Sequence, residues 1–462
     1  MTTTAAARRT NPLRRWSLLA RFRELTGVAR LLLCTQLAFN LGFYLVVPFL
    51  AVHLADDLAM AGWAVGIVLG VRTFSQQGLF VMGGALADRF GTRPVVLAGC
   101  VVRIGGFLTL AVAPDFPVVL TGAALTGFAG ALFSPAVEAA LADEGAQSEK
   151  NGTMPRAELF ALFAVFGEIG AVTGPLTGAA LLSVDFSLTC AVAAAAFVAI
   201  LVAHWLMLPA GPGRSSTEPI LTGAGHVLRN RAFLVFACGY SAYLVSYNQL
   251  YLALPVELER ATGGQGALGW MFALASVLVV AGQLPLAAWA RTRLGPTRAL
   301  PLGFALLAAA FTTVAVAAPV QPPAGAWALG PAVSLVVLLT LGQMLSVPVA
   351  QDLVPRLAGE QRLGSYFGFL SSAGGLAVLM GSTGVGALLD GADTPAAGAA
   401  LPWAVMAALP AVGGLVLWTV ARRAPSAPVP ERQTTPSTAD CSTPRAADGT
   451  ADKEAKPASS RT

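Results

Sequence analysis

Twelve apolar runs, each about 20 residues long, follow one another along almost the whole chain. A helix of that length crosses the hydrocarbon core of a bilayer, which is roughly 30 Å thick. Lipid offers no partner to backbone N–H and C=O groups, so only helices and closed barrels can span it. The runs are continuous rather than alternating in polarity, and this pattern predicts helices. The predicted spans are residues 30–52, 63–86, 95–113, 117–141, 157–182, 187–208, 232–255, 267–290, 299–318, 327–351, 363–388 and 401–421.

Composition supports an all-α integral membrane protein. Only 11% of the 462 residues are charged and 55% are hydrophobic, whereas a soluble domain carries roughly 25% charged residues. The cysteines are odd in number and form no C-x-x-C pair, which argues against a disulfide framework and a zinc site. The three histidines, His53, His204 and His226, are far apart. Because no clustered catalytic or nucleotide-binding motif is present, we expect neither an enzyme nor a protein that hydrolyses ATP.

The placement of charge predicts topology. All Lys and Arg residues except Arg72, Arg103 and Arg260 lie in the terminal segments or in loops on the side assigned to the cytoplasm, as the positive-inside rule requires. We therefore expect a multi-pass protein of the cytoplasmic membrane with both termini inside. The predicted segments are a cytoplasmic arm at 1–29, a six-helix bundle at 30–208, a cytoplasmic linker at 209–230, a second six-helix bundle at 231–421 and a disordered tail at 422–462.

A short charged break separates spans two and three. It reads GGALADRFGTRP over residues 83–94, with Asp88, Arg89 and Arg93 flanked by Gly84 and Gly91. A weaker echo, ARTRLGPTR at 290–298, follows span eight. One interpretation is a cytoplasmic loop that merely obeys the positive-inside rule. The spaced glycines and the aspartate favour a more specific structure.

That break resembles the G-x-L-A-D-R-x-G-x-R motif of major facilitator transporters. Together with GVRTFSQQG, ALFSP and GSYFGF, it resembles the twelve-span drug/proton antiporter family and its MdtH-like multidrug branch. The resemblance covers residues 30–421 and implies two pseudo-symmetric six-helix bundles around a central pathway. It also implies that Asp88 approaches the start of span eleven, near residues 364–367, where a helix N-terminus favours negative charge. This contact would hold the two bundles together on the cytoplasmic side.

Span five carries a face of small residues and a proline: Gly170, Gly174, Pro175 and Gly178. It resembles the G-x-x-x-G-P-x-x-G-G motif associated with antiporters, although Ala179 stands at the last glycine. The alternative is ordinary close packing of helices, which small residues permit in lipid.

Three charged residues lie deep within the spans. Glu168 is roughly 17 Å from the inner end of span five, close to the midplane. A carboxylate there must be protonated, paired or in contact with water, and such a group suits proton coupling; the alternative is a fixed structural pair. Arg72 is about 24 Å from the inner face, and Arg103 is expected nearer to that face. Each guanidinium needs an acceptor, and Glu168, the only acid deep in the spans, is a candidate static partner for either arginine; the sequence does not assign the pairing.

Polar and aromatic side chains predict a substrate cavity. Tyr240, Tyr243, Tyr247 and Tyr251 share one face of span seven, which suits either the wall of a cavity for a bulky apolar guest or helix packing. Asn40, Gln76 and Gln77 are further candidates for the lining.

The family resemblance fails at one position. Related antiporters carry R-x-x-Q-G in span four, with the arginine assigned to proton transfer. Aligning its glycine with Gly127 leaves Ala123 at the arginine and Thr126 at the glutamine. Arg103 or Arg72 is the candidate substitute.

These observations predict a secondary transporter that exports small, largely apolar compounds against inward proton flow. The proton is the only coupling ion expected and no cofactor is predicted. The expected partners are a small-molecule substrate and membrane lipid, without nucleic acid, for a protein acting as a monomer. The alternatives are an uptake symporter or uniporter for a small metabolite and, less favoured, a membrane sensor without transport.

Overall fold

The structure is a computed structural model, and it describes residues 22–23, 25–154, 156–182, 185–209, 224–294, 296–358, 363–390 and 397–423. Most of the predicted arm, linker and tail therefore lie outside the described residues.

Within these ranges the chain forms twelve long helices and no strand. Each helix coincides with one predicted span, and the prediction of an all-α membrane fold is confirmed. The second helix is interrupted by a turn at Gly78 and Leu79. The helices are α1 (Gly27–Val52), α2 (Gly62–Gln77, continued by Phe80–Phe90), α3 (Thr92–Ala111), α4 (Phe116–Lys150), α5 (Arg156–Leu182), α6 (Phe186–Met207), α7 (Arg231–Thr262), α8 (Leu268–Arg293), α9 (Pro296–Ala317), α10 (Gly330–Ala358), α11 (Leu363–Leu389) and α12 (Leu401–Arg423).

Ten of the described helices are long and apolar enough to cross a membrane. The other two are α7, which is more polar because it carries four tyrosines, and α8, which is apolar over Leu268–Gln283. Several helices also run past their apolar segments, since a helix satisfies its own backbone in water as well as in lipid. For example, α4 continues to Lys150 and α7 to Thr262.

Local sequence sets where several helices begin and end. Asp115, Asp185 and Asn230 each accept a hydrogen bond from a backbone N–H in the first turn of α4, α6 and α7 respectively. These short polar side chains satisfy N–H groups that have no partner inside the helix. The chain reverses at Gly91, between α2 and α3, with a φ of 88° that favours glycine.

The helices pack as two six-helix bundles, α1–α6 and α7–α12. We call the side on which α1 begins and α12 ends the terminal face, and the other side the opposite face. Among the described residues, the largest contact between the bundles joins α2 to α11, with smaller contacts of α5 with α8 and α1 with α7.

The α2–α11 contact depends on glycine. A Cβ atom at Gly66 would overlap the carbonyl oxygen of Ser382, and one at Gly70 would lie 2.7 Å from the Cα of Leu379. Towards the terminal face, Val81 of α2 packs against Gly368 of α11. Small residues thus let the two helices approach closely along most of their length.

Candidate functional site

The tyrosines of α7 form a row of touching rings that reaches the first bundle. Ring centroids are 5.3 Å apart for Tyr240 and Tyr243 and 6.0 Å apart for Tyr243 and Tyr247. Tyr251 stacks on Phe272 of α8 at 5.3 Å and meets Phe43 of α1 edge-on at 6.3 Å. One end of the row therefore lies between the bundles, where a pathway would run, while its other end packs on Phe236 within the second bundle.

Tyr44 of α1 completes this cluster, and sequence reasoning missed it. Its hydroxyl lies beside the hydroxyl of Tyr251, and its ring lies 6.5 Å from that of Phe272. The available signal was a tyrosine in the first span, one helical turn after the polar candidate Asn40. We call Tyr44, Tyr247 and Tyr251, with the side chains that face them, the tyrosine site.

Glu168 of α5 belongs to the tyrosine site. Its half-buried carboxyl lies near the hydroxyls of Tyr44 and Tyr247, and the side chain of Gln343 of α10 lies beside Tyr247. No hydrogen bond or ion pair joins Glu168 to a described residue. A carboxyl group with phenol neighbours and no fixed partner remains free to exchange a proton or to meet a ligand.

Arg72 of α2 faces the same site from the other side. It is 4% exposed, and it lies near the hydroxyls of Tyr44 and Tyr251. Its Nη2 donates to Oε1 of Gln76 at 2.7 Å, and its guanidinium carbon lies 4.5 Å from the centre of the Phe43 ring. Its Nε has no partner among the described residues.

Arg103 of α3 is enclosed in the first bundle, with 1% of its surface exposed. Its Nη1 donates to the carbonyl oxygen of Thr126 at 2.5 Å. Its guanidinium carbon lies 4.6 Å from the Phe39 ring centre and 5.3 Å from that of Phe197. Aromatic faces and a carbonyl oxygen thus take the place of a counter-ion.

Neither arginine pairs with Glu168 in the described structure, so the pairing that the sequence left open is resolved against both candidates. Arg72 donates to Gln76 on its own helix, and Arg103 donates to the carbonyl oxygen of Thr126 on the neighbouring α4. Although the two arginines are expected at different depths, both guanidinium groups lie beside Phe43, at 4.5 and 6.0 Å from its ring centre.

The three predicted polar lining residues have different surroundings. Gln76 accepts the hydrogen bond from Arg72 and lies beside Gly130 of α4. Gln77 packs in the α2–α11 contact, where its Cβ lies 3.1 Å from the position of a Cβ on Gly375. Asn40 packs against Gly167 and Gly170 of α5. Of the three, only Gln76 directly contacts a charged group of the tyrosine site.

The small-residue face of α5 packs on α1. A Cβ on Gly174 would lie 2.7 Å from Cβ of Tyr44, and Gly170 and Gly178 meet α1 with comparable closeness. The carbonyl oxygen of Pro175 and the Cβ of Ala179 lie 2.9 and 3.0 Å from the position of a Cβ on Gly269 of α8. This segment therefore brings Tyr44 beside the helix of Glu168 and also forms part of the contact between bundles.

The charged break lies where α2 ends and α3 begins, on the terminal face. Arg93 donates from Nη2 to the carbonyl oxygen of Trp205 at 2.5 Å, and Arg89 lies over the ring of Phe90. Gly84 lies 4.0 Å from Pro135 of α4, measured from the position of a Cβ. The side chain of Asp88 lies outside the described part of the structure, so its contact with the start of α11 stays a prediction.

Three polar contacts between the bundles were not predicted, and one of them is the hydrogen bond that the hydroxyl of Ser372 in α11 donates to the carbonyl oxygen of Gly78 at 3.0 Å. On the opposite face, Asp390 at the end of α11 accepts a hydrogen bond from the backbone N–H of Gly62 at 2.5 Å. Deeper in the helices, Thr73 donates to Oδ1 of Asn248 at 3.2 Å, and Asn248 donates to the Ser382 hydroxyl at 2.9 Å. Of these residues, only Asp390 could have been singled out from the sequence, because it is an acidic residue just after the end of span eleven.

Two bundles with a polar and aromatic site between them define a membrane transporter of the secondary type. The chain matches the model of the Major Facilitator Superfamily over residues 32–382. It belongs to that superfamily and is a multi-pass membrane transporter rather than an enzyme.

The names of two relatives agree with this assignment. The chain is 40% identical over 382 residues to an uncharacterised MFS-type transporter of Mycobacterium tuberculosis (strain ATCC 25618 / H37Rv), covering 80% of this chain and 88% of that protein. It is 32% identical over 390 residues to the multidrug resistance protein MdtH of Cronobacter sakazakii, covering 84% and 92%.

Solved structures share the fold. A crystal structure of a mutant of the peptide transporter POT in complex with alafosfalin superposes with a TM-score of 0.70 at 18% identity, covering 88% of this chain and 98% of the other. A mutant of the nucleoside transporter NupG gives 0.68 at 12% identity, covering 85% and 100%. At these identities the likeness concerns the fold alone.

Proposed function

We propose that this transporter exports small, largely apolar compounds, such as drugs or natural products, by proton antiport with alternating access. It acts as a monomer in the cytoplasmic membrane with both termini in the cytoplasm, and the proton is its only coupling ion. The observation that carries the proposal is the unpaired carboxyl of Glu168 beside Tyr44 and Tyr247, between the two bundles. The multidrug resistance name of the MdtH relatives supports the substrate class.

Glu168 is the coupling group in this scheme. Burial favours its protonated form, while water or a cationic neighbour favours the carboxylate. When the site opens to the outside, Glu168 takes up a proton and the substrate leaves. When it opens to the cytoplasm, the proton leaves and a new substrate binds against the tyrosine rings, whose faces suit apolar guests.

Arg103 supplies the guanidinium that span four lacks. It is anchored on α3, but it reaches α4 at the carbonyl oxygen of Thr126, the position that corresponds to the glutamine of the family motif. Arg72 lies at the same level and faces Tyr44 and Tyr251. Two fixed positive charges at this depth disfavour additional positive charge nearby, and so they promote release of the Glu168 proton.

The test is substrate uptake into inverted membrane vesicles with an imposed pH gradient. We expect wild-type uptake of a fluorescent apolar dye to require the gradient, and Glu168→Gln to lose that requirement. Glu138→Gln is the matched control, because Glu138 is also a glutamate within a long helix but is exposed. Dye uptake by the wild type without any gradient would exclude antiport and favour a uniporter of the same fold.

A further inference from the structure

A cavity lies in the α7–α12 bundle, apart from the tyrosine site. It has a volume of about 480 Å³ and is enclosed by α7, α9, α11 and α12. Its rim is formed by side chains exposed on the outside of the bundle, including Met380 at 69% and Val412 at 59%. The cavity therefore opens sideways, towards the hydrocarbon core that surrounds a membrane protein.

The wall of this cavity is apolar except for two side chains of α7, Gln249 and Ser246. Gln249 of α7 is 1% exposed and lines the cavity. Its Nε2 donates to the carbonyl oxygen of Val245 at 2.9 Å, which fixes the orientation of the amide, since only the nitrogen can donate. Its Oε1 is buried and has no partner among the described residues.

The other polar side chain of the cavity supplies no donor to that oxygen. The hydroxyl of Ser246 donates to the carbonyl oxygen of Ala242 at 2.8 Å. A buried acceptor without a partner is costly, and the acyl chains of lipids have no donor to satisfy it. The hydroxyl group of an alcohol does have such a donor.

We propose that this cavity binds one membrane-dissolved aliphatic alcohol, with its hydroxyl donating to Oε1 of Gln249 and its hydrocarbon part against α11 and α12. The volume lies within the range of roughly 300–1,000 Å³ that small-molecule sites occupy. Gln249 and Tyr247 are two positions apart, so they point to nearly opposite sides of α7. The alcohol site is thus separate from the tyrosine site and does not depend on the proposed export function.

The absence of a side chain at Gly384 of α11 leaves part of the cavity open for the alcohol. No atom lies within 4 Å of the position that a Cβ would take at Gly384, which lines the cavity. A leucine at Gly384 therefore fits on the helix and occupies the volume in which the alcohol would lie. Gly105 in the middle of α3 has equally open surroundings and lies in the other bundle.

The experiment uses the full chain in lipid nanodiscs with a photoreactive sixteen-carbon alcohol and, in parallel, its methyl ether. The ether has the same hydrocarbon chain but cannot donate a hydrogen bond. Mass spectrometry measures the labelling of residues 376–389 and 401–418. We expect the alcohol to label them roughly fivefold more than the ether, because one hydrogen bond increases the affinity by about that factor.

The variants locate the site. Gln249→Leu should reduce alcohol labelling to the level of the ether, Gly384→Leu should reduce labelling by both probes, and Gly105→Leu should change neither. Equal labelling of the wild type by alcohol and ether would overturn the proposal, and that comparison requires no variant to fold. Unchanged labelling of a folded Gly384→Leu protein would equally overturn it, because the contacts would then be those of ordinary surrounding lipid.

Discussion

The carboxylate of Asp390 accepts a hydrogen bond from the backbone N–H of Gly62, with 2.5 Å between Oδ1 and the nitrogen. This bond joins the end of α11 to the first turn of α2 across the two bundles. An anion at a helix N-terminus meets unpaired N–H groups and the positive end of the helix dipole. The relationship has the same form as the one predicted between Asp88 and the start of α11 on the terminal face. The same pair of helices would thus carry one carboxylate contact at each face.

Removal of the Asp390 carboxylate should open the opposite face. We expect Asp390→Ala to increase the mean distance between spin labels at Thr121 and Trp327, two exposed positions in different bundles. Because the contact is exposed, its loss costs roughly 0.3–1 kcal/mol. Asp57→Ala is the control, since the only described side-chain contact of Asp57 is with His53 in its own segment. An unchanged distance distribution would mean that the contact does not hold this face closed.

The equivalent change on the terminal face is Asp88→Asn. The neutral amide keeps the size of the side chain but loses its attraction to a helix N-terminus. We expect dye transport in vesicles to fall several-fold while the amount of protein inserted in the membrane stays the same. Transport at the wild-type rate would contradict the prediction that Asp88 holds the bundles together.

The Tyr44–Tyr251 hydroxyl pair should matter for transport as a unit. We expect Tyr44→Phe and Tyr251→Phe each to slow proton-driven export, and the double variant to be little worse than either single one, because each change removes the same interaction between the two adjacent hydroxyl groups. Tyr366→Phe controls for the loss of a tyrosine hydroxyl, since Tyr366 lies outside the tyrosine site and meets Asn230. Additive losses in the double variant would show that the two hydroxyl groups act separately.

Arg103 should be irreplaceable by lysine. The guanidinium makes a hydrogen bond to Thr126 and planar contacts with Phe39, Phe107 and Phe197, and a compact ammonium group does not reproduce that combination. We expect Arg103→Lys to lower the melting temperature in detergent and to reduce export at least tenfold. Arg422→Lys is the control, because Arg422 is exposed and lies over Trp418 alone. Equal behaviour of the two variants would show that charge alone suffices at Arg103.

One added methyl group should have opposite effects at a glycine of the α2–α11 contact and at a glycine outside it. Gly66→Ala places a Cβ on the carbonyl oxygen of Ser382 and should destabilise the protein, whereas Gly105→Ala has open space. The latter should be neutral or should stabilise its helix by up to about 1 kcal/mol. Thermal unfolding followed by fluorescence-detected size exclusion measures both. A Gly66→Ala protein as stable as the wild type would show that the bundles separate at little cost.

The sequence alone determined the features that depend on one segment of the chain at a time. A helix in lipid has to pair its own backbone groups and present about 20 apolar residues, so the twelve helices could be located from hydropathy. The helix ends at Asp115, Asp185 and Asn230 and the reversal at Gly91 follow from local chemistry in the same way.

Tertiary structure alone decided which side chains meet. Sequence singled out Glu168, Arg72 and Arg103 as charges within the spans, but it could not assign their partners, because a guanidinium can donate to a carbonyl oxygen or lie over an aromatic ring instead of pairing with a carboxylate. The contacts of Asp390 with Gly62 and of Tyr44 with Tyr251 join residues more than 200 positions apart. Such contacts depend on how the twelve helices pack, and no periodicity within a single helix encodes them.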